Sequence, residues 1–378
     1  MEEIHAAATQ GGTTHMARET AEQPDAVART LETLLPGRQE LVELLRCTDG
    51  SPRSVMFAAR GTSDNAAVYG RYLLETQAGI PVSLAAPSVV THYGEAAPPM
   101  DLSRVLLVSI SQSGATEEIV QTQRRGAAQG AATLAVSNVA GSPLLREADL
   151  GLQLGAGEEI AVPATKSYTA QLAALAILGL AACDVTGQSR NAEALEQELN
   201  RAPEVMSSVL TSLTGADAPA GPALRAAVEL LAGAPFIAAS SRGLMLGSAL
   251  ESGLKIEETC LRPVRSYSYA DMRHGPVAAL EEGAVVLLSA AADGPMLPAM
   301  RELAADMRQR GLRIIGIGGD PAFAAECEIH LPGGDLAEPL APLTGILAVQ
   351  VLAERLSRHL GHDPDSPEGL NKITLSDH

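Results

Sequence analysis

Six short apolar runs punctuate the chain, with longer stretches of helical periodicity between them. "SVMFAA" (54–59), "RVLLVSI" (104–110) and "ATLAVS" (132–137) form one set. "APFIAAS" (234–240), "AVVLLSA" (284–290) and "RIIGIG" (313–318) form a second. Near-continuous apolar runs of this length suit strands buried on both faces. The intervening segments, such as "ATEEIVQTQRRGAAQ" (115–129) and "PMLPAMRELAADMRQRG" (295–311), read as amphipathic helices. Strands alternating with helices predict an α/β fold with parallel sheets flanked by helices on both faces.

The two sets are copies. Arg60-Gly61 after the first run corresponds to Arg242-Gly243 after the fourth, 182 residues on. "LLVSISQSG" (106–114) aligns with "VLLSAAADG" (286–294) at a spacing of 180. Similar spacings at separate landmarks predict one unit used twice. The Gly-, Pro- and Ala-rich stretch 212–223 divides the copies, which places domains at 31–211 and 224–362. A segment 1–30 precedes them and a tail 363–378 follows.

Composition narrows the partners. Of the 378 residues 46 % are hydrophobic but only 2 % aromatic, so the cores are built from aliphatic side chains. A formal net charge of −18 argues against nucleic acid or an anionic membrane as a general partner. Cys47, Cys183, Cys260 and Cys327 stand singly, which suits a reducing compartment and gives no metal signature. The N-terminus "MEEIHAAATQ" lacks an apolar signal core, and the longest apolar run, 172–185, is too short and alanine-rich to span a bilayer. A cytoplasmic protein is expected.

Where the copies differ, chemistry enters. The first copy leaves its second strand through Ser111-Gln112-Ser113-Gly114-Ala115-Thr116; the second has Ala291-Ala292-Asp293-Gly294 instead. Hydroxyl donors at a helix N-terminus suit a phosphate, and glycine lets the backbone approach it. Simple N-capping by Ser113 accounts for one hydroxyl, not for four polar side chains. Gly61, Thr62 and Ser63 supply a similar turn after the preceding strand.

"GSALESGLKIEETC" (247–260) reads as a helix with Glu251, Lys255 and Glu258 on one face. Spacing alone makes Glu251 and Lys255 a solvated surface pair. Glu257 points about 100° away from Glu258. His274 precedes Gly275-Pro276 at a turn, where a histidine is exposed and usable. The polar tail contains Asn371-Lys372 and could be read as frayed.

"ISQSGAT", "RGTSDNAA", "VPATKSYTAQL" (162–172) and "LESGLKIEE" together resemble the sugar isomerase (SIS) domain family. Within it they resemble the isomerase half of glutamine–fructose-6-phosphate aminotransferases, over nearly the whole chain from "ARETAEQPDAV" (17–27) onward. The resemblance implies two tandem SIS domains. It implies that Thr62, Ser63, Ser111, Gln112, Ser113 and Thr116 hold a sugar phosphate, with Val162 and Asn371 also at the substrate. Glu258 would then move a proton between C1 and C2 beside Lys255. His274, reaching in from a neighbouring subunit of a homodimer, would open the sugar ring. Lys372 would form an imine with the open-chain sugar or polarise its oxygen.

A carboxylate partly desolvated in a sugar pocket would gain the basicity such a transfer needs, and no cofactor is called for. Ala164 stands where the family has serine. Only about 16 residues precede "ARETAEQP" and residue 2 is Glu2, so no glutaminase with an N-terminal cysteine is expected. The implied activity is glucosamine-6-phosphate deamination to fructose 6-phosphate and ammonia, or its reverse. Alternatives are another hexosamine or fructosamine 6-phosphate, transaminase-like activity with a separate glutaminase, or a non-catalytic sugar-phosphate sensor.

Overall fold

A computed structural model describes residues 12–215 and 217–372. Among these, one compact unit comprises 25–158 with 166–200, and the other 12–24, 159–165 and 201–372. The exchange between them falls inside the Ser189–Thr214 helix. Asn191 in its first half donates to the Gln77 carbonyl, while Arg201 pairs with Asp335.

The first unit holds β1 (Ser54–Ala58), β2 (Val82–Leu84), β3 (Val105–Ile110), β4 (Ala132–Ser137) and β5 (Leu150–Gln153). They form one parallel sheet in the order β2-β1-β3-β4-β5. Central β3 buries five of its six residues, Ser109 among them, because helices cover both faces. In this strand order the chain winds outward in opposite directions from β1 and β3, and the crevice between their carboxyl ends is where such sheets take ligands.

The Lys166–Thr186 helix is long and apolar enough to cross a membrane, and 83 % of its apolar stretch is buried inside the protein. It exceeds the 172–185 run because its first turns, from Lys166 to Gln171, are polar yet buried as well.

The second unit holds β6 (Ile237–Ser241), β7 (Val264–Ser268), β8 (Val285–Ala290), β9 (Arg313–Gly318) and β10 (Ile329–Leu331). Its parallel order, β10-β9-β8-β6-β7, is that of the first sheet read from the other end. Val285, Val286, Leu287 and Leu288 are all at most 1 % exposed. Each contributes on the order of 1.5–3 kcal/mol of burial before chain entropy is charged. The backbone repeats too: Gly61 and Gly243 take φ +57° and +64°, and Gly114 and Gly294 take +60° and +88°.

The six expected strands are present. The four that the hydrophobic pattern leaves out, β2, β5, β7 and β10, are the edges of the two sheets.

Candidate active site

In the first unit, β1 and β3 are hydrogen-bonded neighbours with Ala58 opposite Ser109, so the two hydroxyl-rich turns emerge side by side. Gly61 leads into the Thr62–Leu73 helix without a side-chain cap. Thr62 is half-buried, and buried Ser63 accepts a hydrogen bond from Gln171 Nε2 at 3.0 Å.

Beyond β3 the helix spans Glu117–Ala128, and its N-cap is Thr116, whose hydroxyl makes no capping bond. Thr116 Oγ1 instead lies 3.0 Å from Ser111 Oγ, which accepts from the Gly114 amide at 3.2 Å. Ser113 Oγ accepts from the Ala115 amide at 3.3 Å. The Gln112 carbonyl is held by Ser137 Oγ and the Asn138 amide, leaving its side chain half-buried. Capping by Ser113 is therefore not what the hydroxyls do; they fold the turn around itself at a helix start.

A Cβ on Gly114 would collide with the hydroxyls of Ser137 and Ser142. The hydroxyls of Ser142 and Ser109, both buried, have no partner among the described residues. Arg60 makes a two-pronged pair with Glu118, both contacts at 2.8 Å, which ties the first turn to the second helix. Its charge is thereby neutralised, and the Ser111–Thr116 turn itself carries hydroxyls and amides and no cation.

In the second unit, β6 runs through Arg242-Gly243 into the Leu246–Cys260 helix. Lys255 is fully buried and donates to Glu258 at 2.5 Å, with Glu251 Oε1 at 3.2 Å. Glu251 is also fully buried, whereas the Glu258 side chain is 24 % exposed. The solvated surface pair expected from spacing is thus a buried triad with one accessible member. Burial alone would lower the Lys255 pKa, but the two carboxylates outweigh it and hold the ammonium above the usual lysine range. Adjacent Glu257 is exposed and accepts from the Val264 amide, closing the turn into β7.

His274 ends the Tyr269–Arg273 helix and is exposed. Asn371 is exposed too, while Lys372 donates to the Ala161 carbonyl and lies 3.3 Å from buried Glu159. Glu159 also accepts from the Thr165 amide, and Val162 donates its N–H to the Asp365 carbonyl. Asp365 further caps the His15 and Met16 amides. The tail up to Lys372 is therefore anchored, not frayed.

The candidate residues thus fall into four places: the two turns together, the Lys255–Glu258 pair, the Val162–Asn371–Lys372 region, and His274. Among the described residues neither His274 nor Lys372 is hydrogen-bonded to Glu258. Sequence reading passed over Glu159, Gln171, Asp365 and the Arg60–Glu118 pair, whose partners are brought in from distant segments.

Two parallel sheets of identical strand order, one with a hydroxyl-rich crevice, define a doubled α/β ligand-binding fold. Residues 51–181 match the model of the SIS domain, so this segment of the chain is a domain of that family. Glutamine–fructose-6-phosphate aminotransferase [isomerizing] from Thermus thermophilus is 33 % identical over 97 % of this chain. The chain spans 59 % of that relative's length.

The C-terminal domain of glucosamine-fructose-6-phosphate aminotransferase from Francisella tularensis superposes with a TM-score of 0.81 at 25 % identity, covering 94 % of this chain and 99 % of that one. Glucosamine-6-phosphate deaminase from Thermotoga maritima shares the fold, with a TM-score of 0.70 at 20 % identity over 95 % and 99 % of the two chains.

Proposed function

We propose that the protein is a phosphosugar isomerase acting on an amino-sugar phosphate, converting glucosamine 6-phosphate to fructose 6-phosphate and ammonia or running the reverse. The observation that carries this reading is the buried Glu251–Lys255–Glu258 triad, in which Glu258 alone is accessible. A carboxylate held by a buried ammonium is oriented for repeated proton transfer, and structure-only ion pairs are seldom retained in a core for stability.

In this reading the turns 61–63 and 111–116 anchor the phosphate by neutral donors. His274, supplied by a second copy of the chain, protonates the ring oxygen and opens the sugar. Glu258 removes the C2 proton of the open-chain amino aldehyde, giving an enolamine, and returns the proton to C1. The resulting C2 imine adds water and releases ammonia, leaving the ketose. Lys372, held as a hydrogen-bond donor by Glu159 and Ala161, suits polarising a substrate oxygen better than forming an imine. The four free cysteines accord with a reducing, cytoplasmic setting.

Incubation of the purified protein with glucosamine 6-phosphate, with ammonia and fructose 6-phosphate both assayed, tests the proposal. Equal release of the two supports it. Binding of hexose phosphates without turnover of any hexosamine phosphate overturns it in favour of a sensor. Turnover of fructose 6-phosphate only when glutamine is supplied assigns the transaminase-like alternative.

A further inference from the structure

A cavity of about 620 Å³ in the second unit shares no residue with the site above. Arg225 reaches it from the Gly221–Ala232 helix, Arg355, Arg358 and His359 from the Leu347–His359 helix, and His362 from just beyond. Arg355 and Arg358 also wall a neighbouring cavity of about 410 Å³.

In a chain with 45 acidic against 27 basic residues, several arginines elsewhere in this fold are paired, Arg60 with Glu118, Arg301 with Asp320 and Arg313 with Glu328, while others, such as Arg46, Arg190 and Arg310, have no ion pair among the described residues. Here Arg225 and half-buried Arg355 have no ion pair among the described residues, and Arg358 has only Glu354 at 3.5 Å. Among the described residues Glu229 is the one acid lining the larger cavity, and buried Glu354 lines the smaller. Basic residues in a helix's last turn offset its dipole, which accounts for Arg358 and His359. It does not account for Arg355, a turn earlier, or for Arg225 on another helix.

A second observation points to a ligand. Thr20 lines the smaller cavity at 2 % exposure, and its hydroxyl has no hydrogen-bond partner among the described residues. A buried hydroxyl without a partner, in a cavity walled by Arg355 and Arg358, is a donor set that an acceptor-rich anion would satisfy.

We infer that these adjoining cavities are a second anion site, which takes a small phosphorylated molecule through Arg225, Arg355 and Arg358 with Thr20 as a neutral donor. The forked guanidinium matches phosphate oxygens in pairs, and two helices supply it from two directions. The site is separate from the crevice between β1 and β3 and does not depend on the reaction proposed above.

Calorimetric titration with pyrophosphate, in the presence of saturating fructose 6-phosphate and at low ionic strength, tests it. Wild type is expected to bind pyrophosphate with fructose 6-phosphate present. Arg225→Gln/Arg355→Gln is expected to weaken that binding about a hundredfold, on the order of tenfold for each charge-assisted contact. Thr20→Val is expected to weaken it about threefold. Should the double variant fold poorly, exposed Arg225→Gln alone carries the test. Competition of pyrophosphate with fructose 6-phosphate, unchanged affinity in the arginine variant, or no binding up to about 10 mM would overturn the site.

Discussion

The crevice between β1 and β3 and its counterpart between β6 and β8 share strand order and paired positive-φ glycines, yet they are finished differently. The first is bordered by Ser111, Ser113, Thr116 and Thr62. In the second, Asp293 accepts from the Glu338 amide at 2.8 Å, and the Glu338 side chain lies where a Cβ on Gly294 would be. Burial, and secondarily the charge of Asp293, raise the Glu338 carboxyl above its ordinary value. Arg242 stacks over Tyr269 at 4.7 Å.

Beside the matching glycines, one copy sets the hydroxyls of Ser137 and Ser142 and the other sets the carboxylate of Glu338. What the second copy contributes is the face of its first helix, where Lys255 and Glu258 sit. The proposed function puts binding and proton transfer on different copies of one fold, and this division can be tested variant by variant.

The largest effect is expected from Glu258→Gln, which should lower kcat about 10²- to 10⁴-fold with KM for the sugar phosphate little changed. Glu338→Gln, a carboxylate change beside Gly294, should leave kcat at the wild-type value in the same assay.

Next comes Lys255→Met. It takes the buried ammonium away from Glu251 and Glu258 and should cost about 3–5 kcal/mol in denaturant unfolding. Lys255→Met/Glu251→Gln should recover most of that loss without restoring activity. An unchanged midpoint in the single variant would show that the triad is not the buried cluster described.

Ser111→Ala/Thr116→Ala should raise KM for fructose 6-phosphate about tenfold with a much smaller change in kcat, because the hydroxyls hold a group remote from the reacting carbons. Ala291→Ser, which puts a hydroxyl at the matching place in the second copy, should change neither constant.

The smallest effect concerns stability. A carboxyl whose folded pKa is raised is a cost that is absent below its unfolded value near 4.5 and fully present once pH exceeds the folded value. Glu338→Gln should therefore stabilise the protein at neutral pH by less than about 1 kcal/mol, the group being half-exposed. That gain should vanish as pH falls toward 4.5; thermal melts across pH 4–8 would show it.

How much of this was legible in the sequence follows from burial. The central strands were readable because both faces are covered and the apolar run is unbroken, as in β8. The edge strands β2 and β10 have three residues each and mixed exposure, so no periodicity marks them. The two turns were legible because their residues are contiguous. Spacing alone puts the Glu251–Lys255 pair on a solvated face, because an i, i+4 spacing is the same on a buried face as on a wet one; only tertiary packing separates them. Arg60–Glu118 and Lys372–Glu159 join residues 58 and 213 positions apart, and no local pattern encodes them.

The assignment of proton transfer to Glu258 and of binding to the first copy meets its most direct test in deuterium exchange. Fructose 6-phosphate incubated with the protein and an ammonium salt in D₂O, followed by NMR at C1, should gain deuterium with wild type. With Glu258→Gln it should gain none while still binding to the intact Ser111–Thr116 turn. Exchange at the wild-type rate in Glu258→Gln would contradict the account.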